Sequence, residues 1–152
     1  VARCLDAGAI AVVNRDAGLA ARLSADGVHL QSASMVALAR ATLGKTALIG
    51  VSCHSTGDIS AAEASGADYA TFSPVFLTDS KPGYGPALGL EGLSEACGAT
   101  GLPILALAGI DAGNARSCLA ASAAGIAVMG GVMRAGDPET TVQELIGALS
   151  PG

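Results

Sequence analysis

An α/β fold built on an all-parallel sheet is what this sequence predicts, and three observations predict it. Six short apolar runs recur along the 152 residues, at 9–13, 27–30, 47–51, 69–76, 103–110 and 125–132. Ala-rich stretches with helical spacing separate them. Glycines stand where those stretches end and the next run begins.

Each run is too short for a helix and lacks polar alternation, as expected of parallel strands covered on both faces. In the first intervening stretch the apolar stripe is Leu19, Ala20 and Leu23; in the second Val36, Ala39 and Leu43, with Arg40 beside them; in the third Ile59 and Ala62, next to Glu63. Gly44 precedes Ala47, Gly66 precedes Tyr69 and Gly101 precedes Pro103, a pattern of C-terminal capping followed by a short loop into a strand. Strand then helix, repeated, gives a parallel sheet. An open doubly wound sheet and a closed barrel both fit that alternation. A (β/α)8 barrel commonly takes about 200 residues or more, and residues 1–6 read as the tail of a helix, so a barrel would be entered partway round.

The length suits one domain spanning 1–152, since domains commonly run to about 100–150 residues. Apolar residues make up 51%, charged residues 14% and aromatic residues 3%, so the core must be built from Ala, Val, Ile and Leu. No segment supplies the roughly 18 uninterrupted apolar residues of a membrane span. No secretory leader is legible, which leaves the cytoplasm as the default. A net charge of -5 without clustered Lys or Arg argues against nucleic acid. Cys4, Cys53, Cys97 and Cys118 are scattered, with no CxxC, and read as buried reduced thiols.

In either architecture ligands bind at the C-terminal ends of the strands. The residues there are Asn14-Arg15-Asp16, Gln31-Ser32, Ser52-Cys53-His54, Thr78-Asp79-Ser80-Lys81, Gly109 and Gly130-Gly131. Hydroxyls, an ammonium and glycines that let backbone N–H groups approach an oxyanion are the parts of a phosphate site. In the stretch 73–85, Thr78, Ser80 and Lys81 followed by a Gly/Pro-rich loop could wrap a pyrophosphate; a solvated surface loop fits the spacing equally. Asp111 and Asn114 after Gly109 mark a helix start that could present amides to a phosphate, or Asp111 simply caps that helix. His29, inside a run, reads as a satisfied core histidine. Cys53 and His54 could pair as nucleophile and base, but no third orienting group is evident. Met129 and Met133 read as packing residues.

Taken in order along the chain, these segments resemble the thiamine phosphate synthase/TenI family. The resemblance rests on Val12-Val13-Asn14, 25–30 (ADGVHL), 49–54 (IGVSCH), Gly66-Ala67-Asp68-Tyr69, Ser73-Pro74-Val75-Phe76 with Thr78-x-Ser80-Lys81-Pro82, 89–93 (GLEGL), 103–110 (PILALAGI) and 125–129 (GIAVM). It implies an incomplete TIM (β/α)8 barrel of about six β/α units, the family's strands three to eight, without the strand that carries Gln-x-Arg-x-Lys. It further implies a transferase of thiamine biosynthesis that joins hydroxymethylpyrimidine pyrophosphate to thiazole phosphate and releases pyrophosphate.

By the same resemblance Ser52, Thr78, Ser80 and Lys81 hold the pyrophosphate, Ala108, Gly109, Gly130 and Gly131 hold the thiazole phosphate, and Asn14 and His54 line the pocket. Magnesium is the family's ion. The synthase motif Asn-Asp-Arg appears as Asn14-Arg15-Asp16, and the second metal Asp falls on Ser34, so no metal ligand is assigned and Arg15 is expected to face the pyrophosphate instead. A TenI-like thiazole tautomerase is one alternative the resemblance gives, with the catalytic His position of those isomerases falling on Pro74. Divergent barrels fused behind Nudix hydrolases, which share Val-His-Leu-x-Ser and Ser-Cys-His, give the alternative of a phosphate-ligand-binding domain without turnover. The partners implied are small phosphorylated thiamine precursors. An open sheet edge would favour a homo-oligomer.

Overall fold

A computed structural model describes residues 1–78, 83 and 85–150. Among them the elements run α1 (Ala2–Asp6), β1 (Val12–Asn14), α2 (Ala17–Arg22), β2 (Gly27–Leu30), α3 (Val36–Leu43), β3 (Leu48–Cys53), α4 (Thr56–Ala64) and β4 (Tyr69–Phe72). They continue α5 (Gly89–Gly98), β5 (Ile104–Leu107), α6 (Ala115–Ala120), β6 (Gly125–Ala127), α7 (Gly130–Met133) and α8 (Pro138–Leu149). The strands follow one another in chain order from β1 to β6. A doubly wound sheet reverses its strand order at a switch point, so this monotonic order selects barrel topology over the open alternative.

Contacts divide the chain into two compact units, Val1–Ala70 and Thr71–Gly152. In the first, β1 pairs β2 in parallel, with Val12 opposite Gly27 and Asn14 opposite His29. β2 in turn pairs β3, with His29 opposite Gly50. Val28, Leu30, Val36, Ile49, Val51 and Ile59 form its apolar core. Side chains in front of the strands fix the register. Asp26 accepts the Ala11 amide at 2.7 Å, and Asp68 accepts the Ile49 amide at 2.7 Å. Arg40, at 2.7 Å from the Asp68 carboxylate, also donates to the carbonyls of Ala47 and Gly66. One guanidinium thus joins the end of α3 to the starts of β3 and β4.

In the second unit β5 pairs β6 in parallel, with Leu105 opposite Gly125 and Leu107 opposite Ala127. Its core includes Val75, Leu93, Ile104, Ala115 and Cys118. Caps shape the helices as their sequences suggest: Asp16 accepts the Leu19 amide before α2, Ser55 the Asp58 amide before α4, and Asp137 the Glu139 and Thr140 amides before α8.

Several sequence expectations need correction. The runs 69–76, 103–110 and 125–132 each hold a shorter strand, ending at Phe72, Leu107 and Ala127. Beyond them the chain turns, burying Val75 and Ile110 but leaving Val128 and Met129 exposed, before α7 begins. Likewise 9–13 yields only Val12–Asn14. Gly44 and Gly66 close their helices at positive φ, 89° and 82°, which a glycine adopts without strain. Gly101 does not cap, because α5 ends at Gly98 and Ala99 closes it at φ -88°. Met129 and Met133, read as packing residues, are 65% and 78% exposed. Met129 precedes the single-turn α7 and Met133 ends it.

Candidate functional site

Among the described residues, four non-glycine residues adopt positive φ: Arg15, Ser24, Ala108 and Ser122. Ser24 and Ser122 lie just past the ends of α2 and α6, where a left-handed residue commonly stops a helix. Arg15 (φ 71°) and Ala108 (φ 81°) instead follow the last residues of β1 and β5. Strain at strand ends, where ligands bind in this architecture, points to function.

In the first unit Asn14 closes β1 and is exposed. The Arg15 amide then donates to the His29 carbonyl at 2.8 Å, carrying the ladder one step beyond the strand. The Arg15 side chain is exposed but held: with the Gln31 amide turned so that its oxygen faces Arg15, that oxygen accepts from Nη2 at 2.7 Å and from Nε at 3.2 Å. Gln31 follows directly after β2. A guanidinium gripped along one edge keeps its remaining donors for an anion.

The neighbouring strand end carries a second bonded group. His29 Nε2 lies 2.9 Å from Ser52 Oγ, and His29 Nδ1 lies 3.0 Å from the Tyr69 hydroxyl. The two rings are tilted by 32° with centroids 5.5 Å apart. Gly50, opposite His29 in the register, makes this possible, because a Cβ there would collide with the Tyr69 ring. Burial lowers the His29 pKa and raises that of Tyr69, so both are neutral near pH 7. His29 is a satisfied histidine, as expected, but its partner is the hydroxyl that closes the phosphate loop candidate at β3.

Cys53 is fully buried, and its Sγ lies 3.9 Å from the Val51 carbonyl. Burial, with the Asp58 charge second, pushes its pKa up to about 11. A thiol held in that state is no nucleophile at neutral pH, so the Cys53–His54 pair does not form an active couple. His54 is exposed at the start of the turn into α4, its backbone amide donating to Asp58 at 2.9 Å. No disulfide joins the cysteines; Cys118 is also buried, and Cys4 and Cys97 are half-buried.

In the second unit the strand ends are built from main chain. Residues after β4 run beside β5: the Val75 amide donates to Leu107 at 3.0 Å and the Phe76 amide to Ala108 at 3.1 Å. Pro74 is buried and Thr78 half-buried in this segment; Ser80 and Lys81 lie outside the described residues. Gly109 (φ 66°) has no room for a side chain, because a Cβ would strike the Leu77 carbonyl and the Phe76 side chain. Asp111 accepts the amides of Gly113 and Asn114, and Asn114 returns bonds to the Asp111 amide and the Gly109 carbonyl. Those amides are therefore taken: Asp111 closes the turn before α6 and is not its cap, since Asn114 holds the N-cap position without a side-chain cap bond. Gly130 and Gly131 open α7, whose first N–H groups have no intrahelical partner and no side-chain cap. A shallow cleft beside them, lined by Ile110, Val128, Gly131 and Leu145, also carries Asp111 and Glu144. Its carboxylates disfavour an anion.

Among the described residues, the side chains at the family's metal positions do not fit magnesium. Among the described residues no group of three or more His, Cys, Asp and Glu gathers. The Asp16 carboxylate caps α2, Ser34 is bonded to Ser32, and the Arg15 guanidinium stands where a dication would meet like charge.

Comparison with known proteins decides the family. The family model described as thiamine monophosphate synthase (TMP-TENI) matches residues 1–132. The chain belongs to the thiamine monophosphate synthase (TMP-TENI) family. A putative thiamine-phosphate synthase of Geobacter sulfurreducens is 41% identical over 145 residues, covering 95% of this chain and 68% of that protein. A thiamine-phosphate synthase of Thioalkalivibrio sulfidiphilus is 42% identical over 146 residues, covering 95% and 69%. Among solved structures, thiamine phosphate pyrophosphorylase from Pyrococcus furiosus superposes with a TM-score of 0.84 at 32% identity, covering 95% of this chain and 69% of that one. The fold is accordingly that of an incomplete TIM-type barrel. No helix among the described residues is long and apolar enough to cross a membrane.

Within this family member, residue-by-residue reading of the sequence missed Tyr69 and Gly50. A glycine inside a strand run signals close backbone or side-chain approach, and Gly50 carried that signal. Which ring approaches it depends on strand pairing.

Proposed function

We propose that this chain acts in thiamine biosynthesis as a synthase-type transferase, binding hydroxymethylpyrimidine pyrophosphate and thiazole phosphate and joining them with release of pyrophosphate. The observation that carries this reading is about 40% identity to thiamine-phosphate synthases along nearly the whole chain. In this reading the pyrophosphate is held by side chains: Ser52, Thr78, Ser80, Lys81 and the Gln31-braced Arg15. The thiazole phosphate is held by main chain at Ala108 and Gly109 and by the open amides of Gly130 and Gly131. Asn14 and His54 border the pocket.

A transition state with carbocation character needs its departing diphosphate neutralised as charge builds. Arg15 supplies fixed positive charge at the strand end in place of a metal, and its planar donors suit phosphate oxygens. The protein works in the cytoplasm as a single barrel domain, and an open strand edge favours association of copies.

Calorimetric titration of pyrophosphate into wild type, Lys81→Ala and Arg15→Ala, with and without magnesium, tests the cradle. Losing a charge-assisted hydrogen bond of about 1.5–3 kcal/mol should weaken binding roughly ten- to a hundredfold for Lys81→Ala. Wild-type binding should barely change when magnesium is removed. Wild-type affinity in Lys81→Ala would refute the cradle, and collapse without magnesium would remove the role given to Arg15. Vacated metal positions favour one second reading, a domain that binds phosphorylated ligands without turnover. Mixing the two precursors and assaying thiamine phosphate and released pyrophosphate separates the two: binding without product supports the second.

A further inference from the structure

Among the described residues, the bonded row Tyr69–His29–Ser52 is more ordered than a hydroxyl that merely needs a partner. A neutral imidazole has one N–H and one acceptor nitrogen. Two hydroxyls flank it, so only one of them can donate to it. The other must receive the ring N–H and turn its own hydrogen elsewhere.

Which hydroxyl donates follows from acidity. A phenol, with a pKa near 10, is a far stronger acid than an aliphatic alcohol, and delocalisation of its oxygen lone pair into the ring makes it the weaker acceptor. Tyr69 is therefore the better donor and Ser52 the better acceptor. Burial of His29, which disfavours its cationic form, keeps the ring in the neutral state this choice requires.

We propose that Tyr69 and His29 are positioning residues that set the direction of the Ser52 hydroxyl: Tyr69 donates to His29 Nδ1, His29 Nε2–H donates to Ser52 Oγ, and the Ser52 hydrogen is turned out towards a phosphate oxygen. This rests on the reading of Ser52 as a pyrophosphate ligand. Ser52 is then a fixed donor to an anion, and it cannot act as a nucleophile activated by His29, because the imidazole nitrogen facing it carries the hydrogen. Gly50 belongs to the device, since a side chain there would displace the Tyr69 ring from His29.

The test reads tautomer and affinity separately, by 15N spectroscopy of the His29 ring at about pH 8, above the reference value of 6.5, and by calorimetry with inorganic pyrophosphate. Wild type should show Nε2 protonated and Nδ1 bare. Ser52→Ala should leave that tautomer unchanged, because Tyr69 dictates it. In Tyr69→Phe the ring should become a mixture of tautomers, with pyrophosphate bound about two- to tenfold more weakly, the worth of one neutral hydrogen bond. His29→Gln, whose amide can donate to Ser52 and accept from Tyr69, should bind like wild type, whereas His29→Leu should not; a histidine acting as base or cation would not be rescued by glutamine. An Nδ1-protonated ring in wild type overturns the relay, as do wild-type tautomer and affinity in Tyr69→Phe. If wild type fails to bind pyrophosphate while showing the expected tautomer, the cradle assignment fails, and with it the ligand given to Ser52. A wrong tautomer with intact binding fails the relay alone.

Discussion

In the proposed reading, the strand ends of the two compact units meet an anion with different materials. At 1–70 the groups available to an anion are side chains tied to one another: Arg15 to Gln31, and Ser52 to His29 and Tyr69. At 71–152 the strand ends after β5 and β6 offer main chain, with Ala108 and Gly109 in left-handed conformations and Gly130-Gly131 opening a helix. A side-chain site can be adjusted one residue at a time and depends on charge and tautomer. A main-chain site ignores most side-chain truncations and fails when a Cβ is added.

That contrast is broken most severely at Gly109. Gly109→Ala must pay for both a disfavoured φ and collisions with Leu77 and Phe76, which together predict a loss of about 2–5 kcal/mol. Urea denaturation measures it; a loss below about 0.5 kcal/mol, the scale of an ordinary surface substitution, would mean that the main-chain site adapts as readily as a side-chain one.

Next in size is Arg40→Ala in the first unit, away from the candidate ligand positions. Arg40 joins α3 to the starts of β3 and β4 through carbonyls and Asp68, with side-chain exposures of 25% and 38% for the ion pair. Discounting the pair for solvent, the expected loss is about 1–3 kcal/mol, mostly from carbonyls left without their donor. Pyrophosphate affinity measured under folded conditions should stay unchanged. A parallel fall in affinity would show that the side-chain site depends on the opposite end of its strands.

The smallest effect sharpens the comparison through pH. His29 has a lowered pKa in the folded chain, so below the reference value of 6.5 the unfolded chain binds more protons. Stability is then fully present above 6.5 and is lost as pH falls from there through the folded value. His29→Gln should remove that part of the acid slope in denaturation profiles taken across the range. An unchanged slope would mean that the first unit owes nothing to a neutral imidazole.

How much was legible in the sequence follows the same division. The strands announced themselves through apolar runs, because burial on both faces leaves a strong local signature, and α2, α3 and α4 through their apolar stripes, with Gly44 and Gly66 closing the last two. Strand ends were overrun wherever apolar residues continued into a buried turn, as at Val75 and Ile110. Asn14, Arg15 and Ser52 could be read as strand-end residues. Tyr69 and Gly50 could not, since their meaning lies in a cross-strand pairing with His29 that no local pattern records. Main-chain sites are the harder case: glycines mark where a side chain is excluded but not where the amides point.

Strand order equal to chain order bears on how the molecule is assembled in time. Val12 meets Gly27, Gly27 meets Leu48, and Leu105 meets Gly125, so each of these pairings closes a loop of similar, modest length. The entropy of loop closure rises only slowly with length, and here it is divided into comparable instalments instead of one long-range step. A chain emerging from the ribosome can therefore add β/α units to a growing sheet one after another, each new strand finding its partner already made.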